Sequence, residues 1–380
     1  MSEISILIAG DYSPKERFQK ELENNSYTDL FPGVKEAILS VDYSIVNFET
    51  TIPTRESPPI DKVGSHLAAK ENALAPLKWL GFNMLTMANN HFMDYGEIAM
   101  EHSMNLAKQN GFEVISAGHS LAEARCFKVV DVQGQKVAVI NACEHEFSIA
   151  SERKAGCNPL DIINLSYDIQ QAKLQADYVI VIIHGGNEHY KLPSPRMKKT
   201  YRFFVDQGAD VILNHHQHCY SGYEVYKGNL IFYGLGNFCF DSASDIKYRH
   251  ETYNFGYLVK LHLSSSISFE LLPYEQCYEK PGVYLFGGAK KKNFEKDIAE
   301  LNAIIADDER LTKAFEEMAR KKRDFVYRCF RPFTSRIANS LYYRGLLPSF
   351  LTKERLKIIT ATLDCEAHND ILMTNLKSEK

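Results

Sequence analysis

Between Ile4 and Leu213 the chain alternates short apolar runs with amphipathic stretches, and this alternation limits the possible folds more than any other feature. The runs Ile4–Ala9, Ser44–Phe48, Asn83–Met87, Val137–Asn141, Tyr178–Ile183 and Asp210–Leu213 are four to six residues long. Apolar runs of that length fit strands buried on both faces. Between them Glu71–Leu80, Glu97–Gln109, Ile162–Gln175 and Arg196–Gln207 have helical amphipathic spacing. Strand and helix in alternation predict an α/β domain with a largely parallel core sheet. After residue 219 the pattern changes to adjoining strands, Tyr220–Tyr226, Leu230–Tyr233, Tyr257–Leu263 and Ile267–Pro273. These predict a second sheet or an antiparallel extension. Gly287-Gly288-Ala289-Lys290-Lys291-Lys292 has the composition of a linker, and from about Phe294 the chain reads as helical.

The charge is divided in the same way. Residues 284–380 hold 19 Lys and Arg against 14 Asp and Glu, while residues 1–283 hold 25 against 34. An acidic body over 1–283 and a basic helical region over 284–380 are therefore expected as two parts with different jobs. The acidic body has no basic stripe, which argues against nucleic-acid binding. Eight cysteines are scattered singly with no Cys-x-x-Cys pair. That spacing argues against a zinc ribbon or a disulfide framework and fits reduced thiols in a cytoplasmic protein. No signal peptide is visible, and no apolar run approaches the roughly 18–20 residues of a membrane span.

The chemistry-bearing residues fall where the predicted strands end. Asp11 follows the first run, and Asn47 and Glu49 follow the second. Asn89, Asn90 and His91 follow the third, His184 follows Val179–Ile183, and His215, His216 and His218 follow Val211–Leu213. Carboxyl ends of strands are where ligands bind in open α/β sheets. A lone His-x-His turn is equally well a solvated polar turn, and Asn47 and Asn89 can simply shape their turns through backbone hydrogen bonds. Five strand ends carrying carboxylate, amide or imidazole are hard to reach by independent turn preferences. They predict a shared metal site. Mixed Asp, Glu, Asn and His donors without thiolate suit a hydrolytic Zn, Mn or Fe centre. The residues alone thus lead to a metal-assisted hydrolase and to no substrate.

The motifs add a resemblance. Gly10-Asp11, Asn47-Phe48-Glu49, Ala88-Asn89-Asn90-His91 with Asp94-Tyr95-Gly96, and Ser116-Ala117-Gly118 with Glu123-Ala124 resemble the CapA-type capsule-synthesis proteins. So do His184-Gly185-Gly186-Asn187-Glu188, Gly208-Ala209-Asp210, His215-His216-Gln217-His218 and Tyr233-Gly234-Leu235-Gly236-Asn237-Phe238, in order over about residues 4–274. That poly-γ-glutamate capsule family has the calcineurin-like metallophosphatase fold. The resemblance implies a four-layer α/β/β/α sandwich with a C-terminal helical appendage, and a site where the strands of both sheets converge. It implies Asp11, Glu49, Asn90, His184, His216 and His218 as ligands of one or two divalent ions (Mn, Fe or Zn). It also implies His91 as the acid that protonates a leaving oxygen. Asn47, Asn89, His189 and His215 are then surrounding or substrate-binding residues, and Asn237, in a Gly236-Asn237-Phe238 turn, is structural.

Two departures stand out. Metallophosphatases of this fold carry Asp-x-His at the first strand, whereas Asp11 is followed by Tyr12 and Ser13, and the second strand has Asn-x-Glu. One of two metal positions therefore lacks a ligand. Asn214 also replaces the glycine that usually precedes the histidines. The implied function is a metal-dependent, phosphoesterase-like hydrolase of capsule or surface-polysaccharide synthesis, acting on a phosphorylated or anionic polymer. The competing function is a metal-binding assembly or export factor that binds such a polymer without cleaving it. In the tail, residues 320–344 hold eight basic residues and one acid with aromatics between them. This segment reads either as a helical cap or as a peripheral contact for a membrane surface or a capsule synthase.

Overall fold

The computed structural model describes residues 3–24, 27–62, 64–242, 244–245, 250–322, 335–348, 351–364 and 376. They fall into two compact units, Met1–Phe315 and Glu316–Lys380. In chain order the strands of the first unit begin with β1 (Ile4–Ser13), β2 (Tyr43–Phe48), β3 (Met84–Thr86), β4 (Glu113–Ile115), β5 (Ala117–Gly118) and β6 (Lys128–Val132). There follow β7 (Gln135–Cys143), β8 (Gly156–Cys157), β9 (Tyr178–His184), β10 (Val211–His215) and β11 (Tyr223–Tyr226). The last are β12 (Asn229–Phe232), β13 (Asn237–Phe240), β14 (Phe255–Leu263), β15 (Ile267–Gln276) and β16 (Val283–Leu285).

These strands build two large sheets. The first has the order β16-β15-β14-β1-β2-β3-β4, with β13 beside the end of β1. The second has the order β11-β12-β10-β9-β7-β6, and β5 pairs with β8 apart from both. The parallel runs read from the sequence are thus shared between two sheets rather than collected in one. Adjoining strands after residue 219 extend both: β14–β16 join the first sheet antiparallel, and the β11–β12 hairpin joins the second through β12 and β10.

The layers follow from side-chain alternation. Along β1, Ile4, Ile6 and Ile8 enter the core shared with the second sheet, while Leu7 and Ala9 enter a second core. In that second core they meet Val34, Ile38, Leu74, Leu77, Leu80 and Met100 of the covering helices. Ile45 and Val46 of β2, and Met84 and Leu85 of β3, split in the same way. A period of two is what a strand with both faces buried imposes. The second sheet is covered by the helices Ile162–Lys173 and Pro195–Asp206, which pack on β7, β9, β10 and β12. Helix, sheet, sheet and helix make a four-layer α/β/β/α sandwich.

The linker-like run does not end the body. Gly287 caps the helix Gly288–Ala306, which packs on β11 and buries Phe294, Ile298, Leu301 and Ile305. Asp297 accepts from Lys191 Nζ at 2.8 Å, and Asn302 Oδ1 accepts from the Tyr223 amide at 2.7 Å. The first unit therefore runs past the expected border at 283, because the lysines face outward while every third or fourth residue after them is apolar. In the second unit the helices Arg336–Tyr343 and Lys353–Asp364 match the expected helical character. Residues 323–334, at the centre of the basic-aromatic run, lie outside the described residues. Among the described residues no helix is long and apolar enough to cross a membrane.

Candidate metal centre

Parallel register brings the strand ends together. Asp11 lies opposite Asn47 on β2 and opposite Asn237 on β13, and His215 lies opposite His184. Gly10 makes the approach to β13 feasible, since a Cβ there would stand 1.8 Å from the carbonyl oxygen of Gly236. The first sheet thus delivers Asp11, Asn47 and Glu49, and the loop after β3 delivers Asn89, Asn90 and His91. The second sheet delivers His184, His215, His216 and His218. All are buried.

Two groups of donors form, and Glu49 belongs to both. In the first, His184 Nε2 stands 3.0 Å from Asn90 Oδ1, 3.2 Å from His216 Nδ1 and 3.5 Å from Glu49 Oε1. In the second, His218 stands 3.8 Å from Asp11 Oδ2 through Nδ1 and 3.7 Å from Glu49 Oε1 through Nε2. Ligands about 2.1 Å from a tetrahedral ion stand about 3.4 Å apart. The spacings about His184 Nε2 therefore suit a divalent ion, whereas the His218 distances run through different ring nitrogens and the one-atom-per-residue spacing of that group extends to within 4.8 Å. A second observation agrees: both carboxylate oxygens of Glu49 are buried without a hydrogen-bond partner. A buried carboxylate is costly unless it is paired or coordinates a metal.

The electrostatics follow the crowding. Burial pushes Glu49 well above its ordinary carboxylate range, and Asp11 and Glu188 push it further. Burial likewise lowers His184, with His216, His215, His218 and His91 adding to the effect. His218 is lowered by burial against the pull of Asp11 and Glu188. Burial thus favours the neutral form of His184 and His218, which is the form that binds metal.

The surrounding residues hold the donors in place. Asn47 Nδ2 donates to Asp11 Oδ1 at 2.6 Å and lies 3.2 Å from His184 Nδ1. The His216 amide donates to Asp11 Oδ2 at 3.0 Å. Asn89 donates to the Phe48 carbonyl at 2.9 Å and accepts from the His91 amide at 3.1 Å, so it shapes its turn. His215 is buried beneath the site, 4.0 Å from Asp11 Oδ1. His189 stands at the rim, its ring 6.2 Å from that of His218. Asn237 opens β13 instead of lying in a turn, and its Oδ1 is 2.8 Å from His218 Nδ1. His216 and His218 have φ of 85° and 52°. Left-handed backbone at non-glycine residues costs about 1–3 kcal/mol each and is sustained where surrounding structure demands it. Asn214 tolerates the place of the usual glycine because its amide is used, donating to the Gly185 carbonyl at 2.8 Å and accepting from Tyr201 at 2.6 Å.

His91 has an environment of its own. Its Nδ1 lies 2.7 Å from Asp94 Oδ2 and 3.4 Å from Lys62 Nζ, and Lys62 forms a buried ion pair with Asp94. Burial lowers its pKa, and Asp94 works against that. Asp94 was visible only as part of a motif, and Lys62 carried no signal, because their partnership crosses a loop. Above the donors lies a cavity of about 190 Å³ lined by Lys15, His91, Glu188, His189, His218 and Tyr253, among others.

Comparison with known proteins gives this arrangement a family. The chain is 32% identical to Capsule biosynthesis protein CapA of Bacillus anthracis over 236 residues, covering 60% of this chain and 57% of that protein. It is also 32% identical to PGA biosynthesis protein CapA of Bacillus subtilis (strain 168) over 244 residues, covering 63% and 64% of the two chains. The match thus spans less than two thirds of either relative. A crystal structure of a hypothetical protein from Thermus thermophilus is similar with a TM-score of 0.44 and 15% identity, over 71% of this chain and 99% of that one. Residues 5–242, more than half of the chain, match the family described as Bacterial capsule synthesis protein PGA_cap. The chain belongs to that family.

Proposed function

We propose that this protein is a metal-dependent hydrolase of phosphoester type that serves the synthesis of an anionic surface polymer such as poly-γ-glutamate. The observation that carries this reading is the four-donor group Glu49, Asn90, His184 and His216 beside His91. Its spacings suit a divalent ion, and His91, the neighbour of Asn90 in the chain, lies close enough to interact electrostatically with His184 and His216. A divalent ion held there supplies Lewis acidity and lowers the pKa of water. Asp11, Glu49 and His218 hold a second, weaker position. Asp94 accepts a hydrogen bond from Nδ1–H of His91, which fixes the ring and reserves Nε2 for the substrate. By opposing the effect of burial, Asp94 also helps the ring hold the second proton, on Nε2, that a general acid gives to a leaving oxygen. Burial keeps these groups in one geometry, which is most of what phosphoryl transfer asks of a protein.

One observation favours the second reading, an assembly or export factor that binds the polymer without cleaving it. Ser13 stands where the first strand would offer an imidazole, so the second position has three donors. Metal analysis of the purified protein followed by a screen of phosphomonoesters and phosphodiesters tests the choice. Bound metal with turnover supports the hydrolase. Bound metal with no hydrolysis of any phosphoester, amide or polyglutamate substrate overturns it in favour of the factor.

A further inference from the structure

Lys15 is the cation that the reading above leaves unused. It lies four residues beyond Asp11, lines the cavity over the donors and is partly buried. Its Nζ stands 5.0 Å from the ring centroid of Phe240, and the His218 ring packs on that same Phe240 at 4.9 Å. The ammonium therefore lines the same cavity as His218 of the three-donor group. Among the described residues it makes no side-chain hydrogen bond and no ion pair within 4 Å. The nearby Arg17, by contrast, is fully engaged with Asp241. Burial lowers the pKa of Lys15 while Glu16, Glu49 and Asp241 oppose the shift from a distance. An ammonium taken partly out of water with only an aromatic face for a partner remains poorly compensated, and a bound anion offsets that cost.

The cavity narrows the anion. About 190 Å³ is below the roughly 300–1,000 Å³ of pockets that enclose whole small molecules. It admits an end group rather than a length of polymer. A tetrahedral group can direct one oxygen to the donor cluster, one to Lys15 and its ester oxygen to His91, whereas a planar carboxylate offers only two oxygens. We propose that Lys15 is a fixed cation that binds the terminal phosphoryl group of a phosphomonoester substrate, next to the metal position that lacks a fourth ligand. This rests on the hydrolase reading and names its substrate class.

The test uses the full chain, with inorganic phosphate and glutamate as separate probes in calorimetric titrations, alongside metal content and melting temperature. Losing one charge-assisted hydrogen bond should weaken phosphate binding about ten- to a hundredfold in Lys15→Met. Metal content and melting temperature should match the wild type, and Lys15→Arg should recover most of the affinity. Should Lys15→Met lower the melting temperature, Lys15→Gln carries the same comparison. Unchanged phosphate affinity, a loss confined to glutamate, or a change in metal content without a change in phosphate binding would each overturn the proposal. A wild-type protein without metal sinks the hydrolase reading instead, and phosphate titration of that metal-free protein still reads Lys15.

Discussion

Glu49→Gln is the substitution whose outcome depends most on the site being a metal centre. The side chain keeps its shape and loses its charge. Because Glu49 belongs to both donor groups, four donors become three and three become two. Both positions should lose affinity together. A ligand present at a hundred times its Kd stabilises the folded state by about 2.7 kcal/mol. For a unit spanning Met1–Phe315 the entropy of about 2.1 cal/mol/K per residue gives about 1.5 °C per kcal/mol, a melting shift of roughly 4 °C on adding chelator to the wild type. The variant should show almost none. Without metal the order reverses. The folded-state pKa of Glu49 lies well above its unfolded value near 4.5, so metal-free wild type binds an extra proton when folded. Its stability is then lost as pH rises above 4.5 through the folded pKa. The glutamine variant lacks that loss, so metal-free Glu49→Gln should melt at or above metal-free wild type at pH 7. Scanning fluorimetry with and without chelator, paired with elemental analysis, reads both effects. Full metal in the variant, or equal chelator shifts in the two proteins, would refute the argument.

Other outcomes follow from the same geometry. His216→Ala should empty the tighter position and His218→Ala the weaker one, as measured by metal stoichiometry; two fully loaded variants would remove the His-x-His turn from the site. Occupancy should fall as pH drops below about 6.5, because ligand imidazoles must be neutral, and burial of His184 and His218 carries retention somewhat below that value. His91→Asn should lower turnover about 10²–10⁴-fold with metal content nearly unchanged; coupled loss of metal would show that His91 is a ligand. Truncation at about residue 285 should cause aggregation, since it uncovers Tyr220, Tyr223 and Tyr257 and removes Phe294, Ile298, Leu301 and Ile305, each contributing about 1.5–3 kcal/mol by burial. A monomeric truncated protein with wild-type melting temperature would contradict the packing described for that helix.

That the site residues would meet was legible because each follows, within a few positions, a run whose hydrophobicity marks it as a strand. Asp11, Glu49, Asn90, His184, His216 and His218 are all found in one buried cluster. What the sequence did not display was how strands are shared out. Nothing local in Val137–Asn141 or Tyr178–Ile183 distinguishes a second sheet from a continuation of the first, because both faces of both are apolar. Gly236-Asn237-Phe238 looked like a turn because glycine and asparagine favour turns, yet tertiary pairing with β1 draws Asn237 into a strand. Gly287–Lys292 looked like a linker for a similar local reason. Lys15 and Lys62 were unmarked, since a single lysine in a loop carries no periodicity and its meaning lies in what faces it.

The pairing of β1 has a consequence for synthesis. One edge of this strand meets β2 soon after it is made, but the other waits for β14 along Ile4–Ile8 and for β13 along Asp11–Ser13. The wait from Ser13 to Asn237, at about 5–20 residues per second, is roughly 10–45 s. For that interval the nascent chain displays an open edge containing Ile4, Ile6, Leu7 and Ile8, the kind of edge that recruits foreign strands. Asp11 lies where the two late partners divide the edge between them. The proposed ion site is therefore among the last features a newly made chain can complete, and metal supplied earlier would meet only part of the donor cluster.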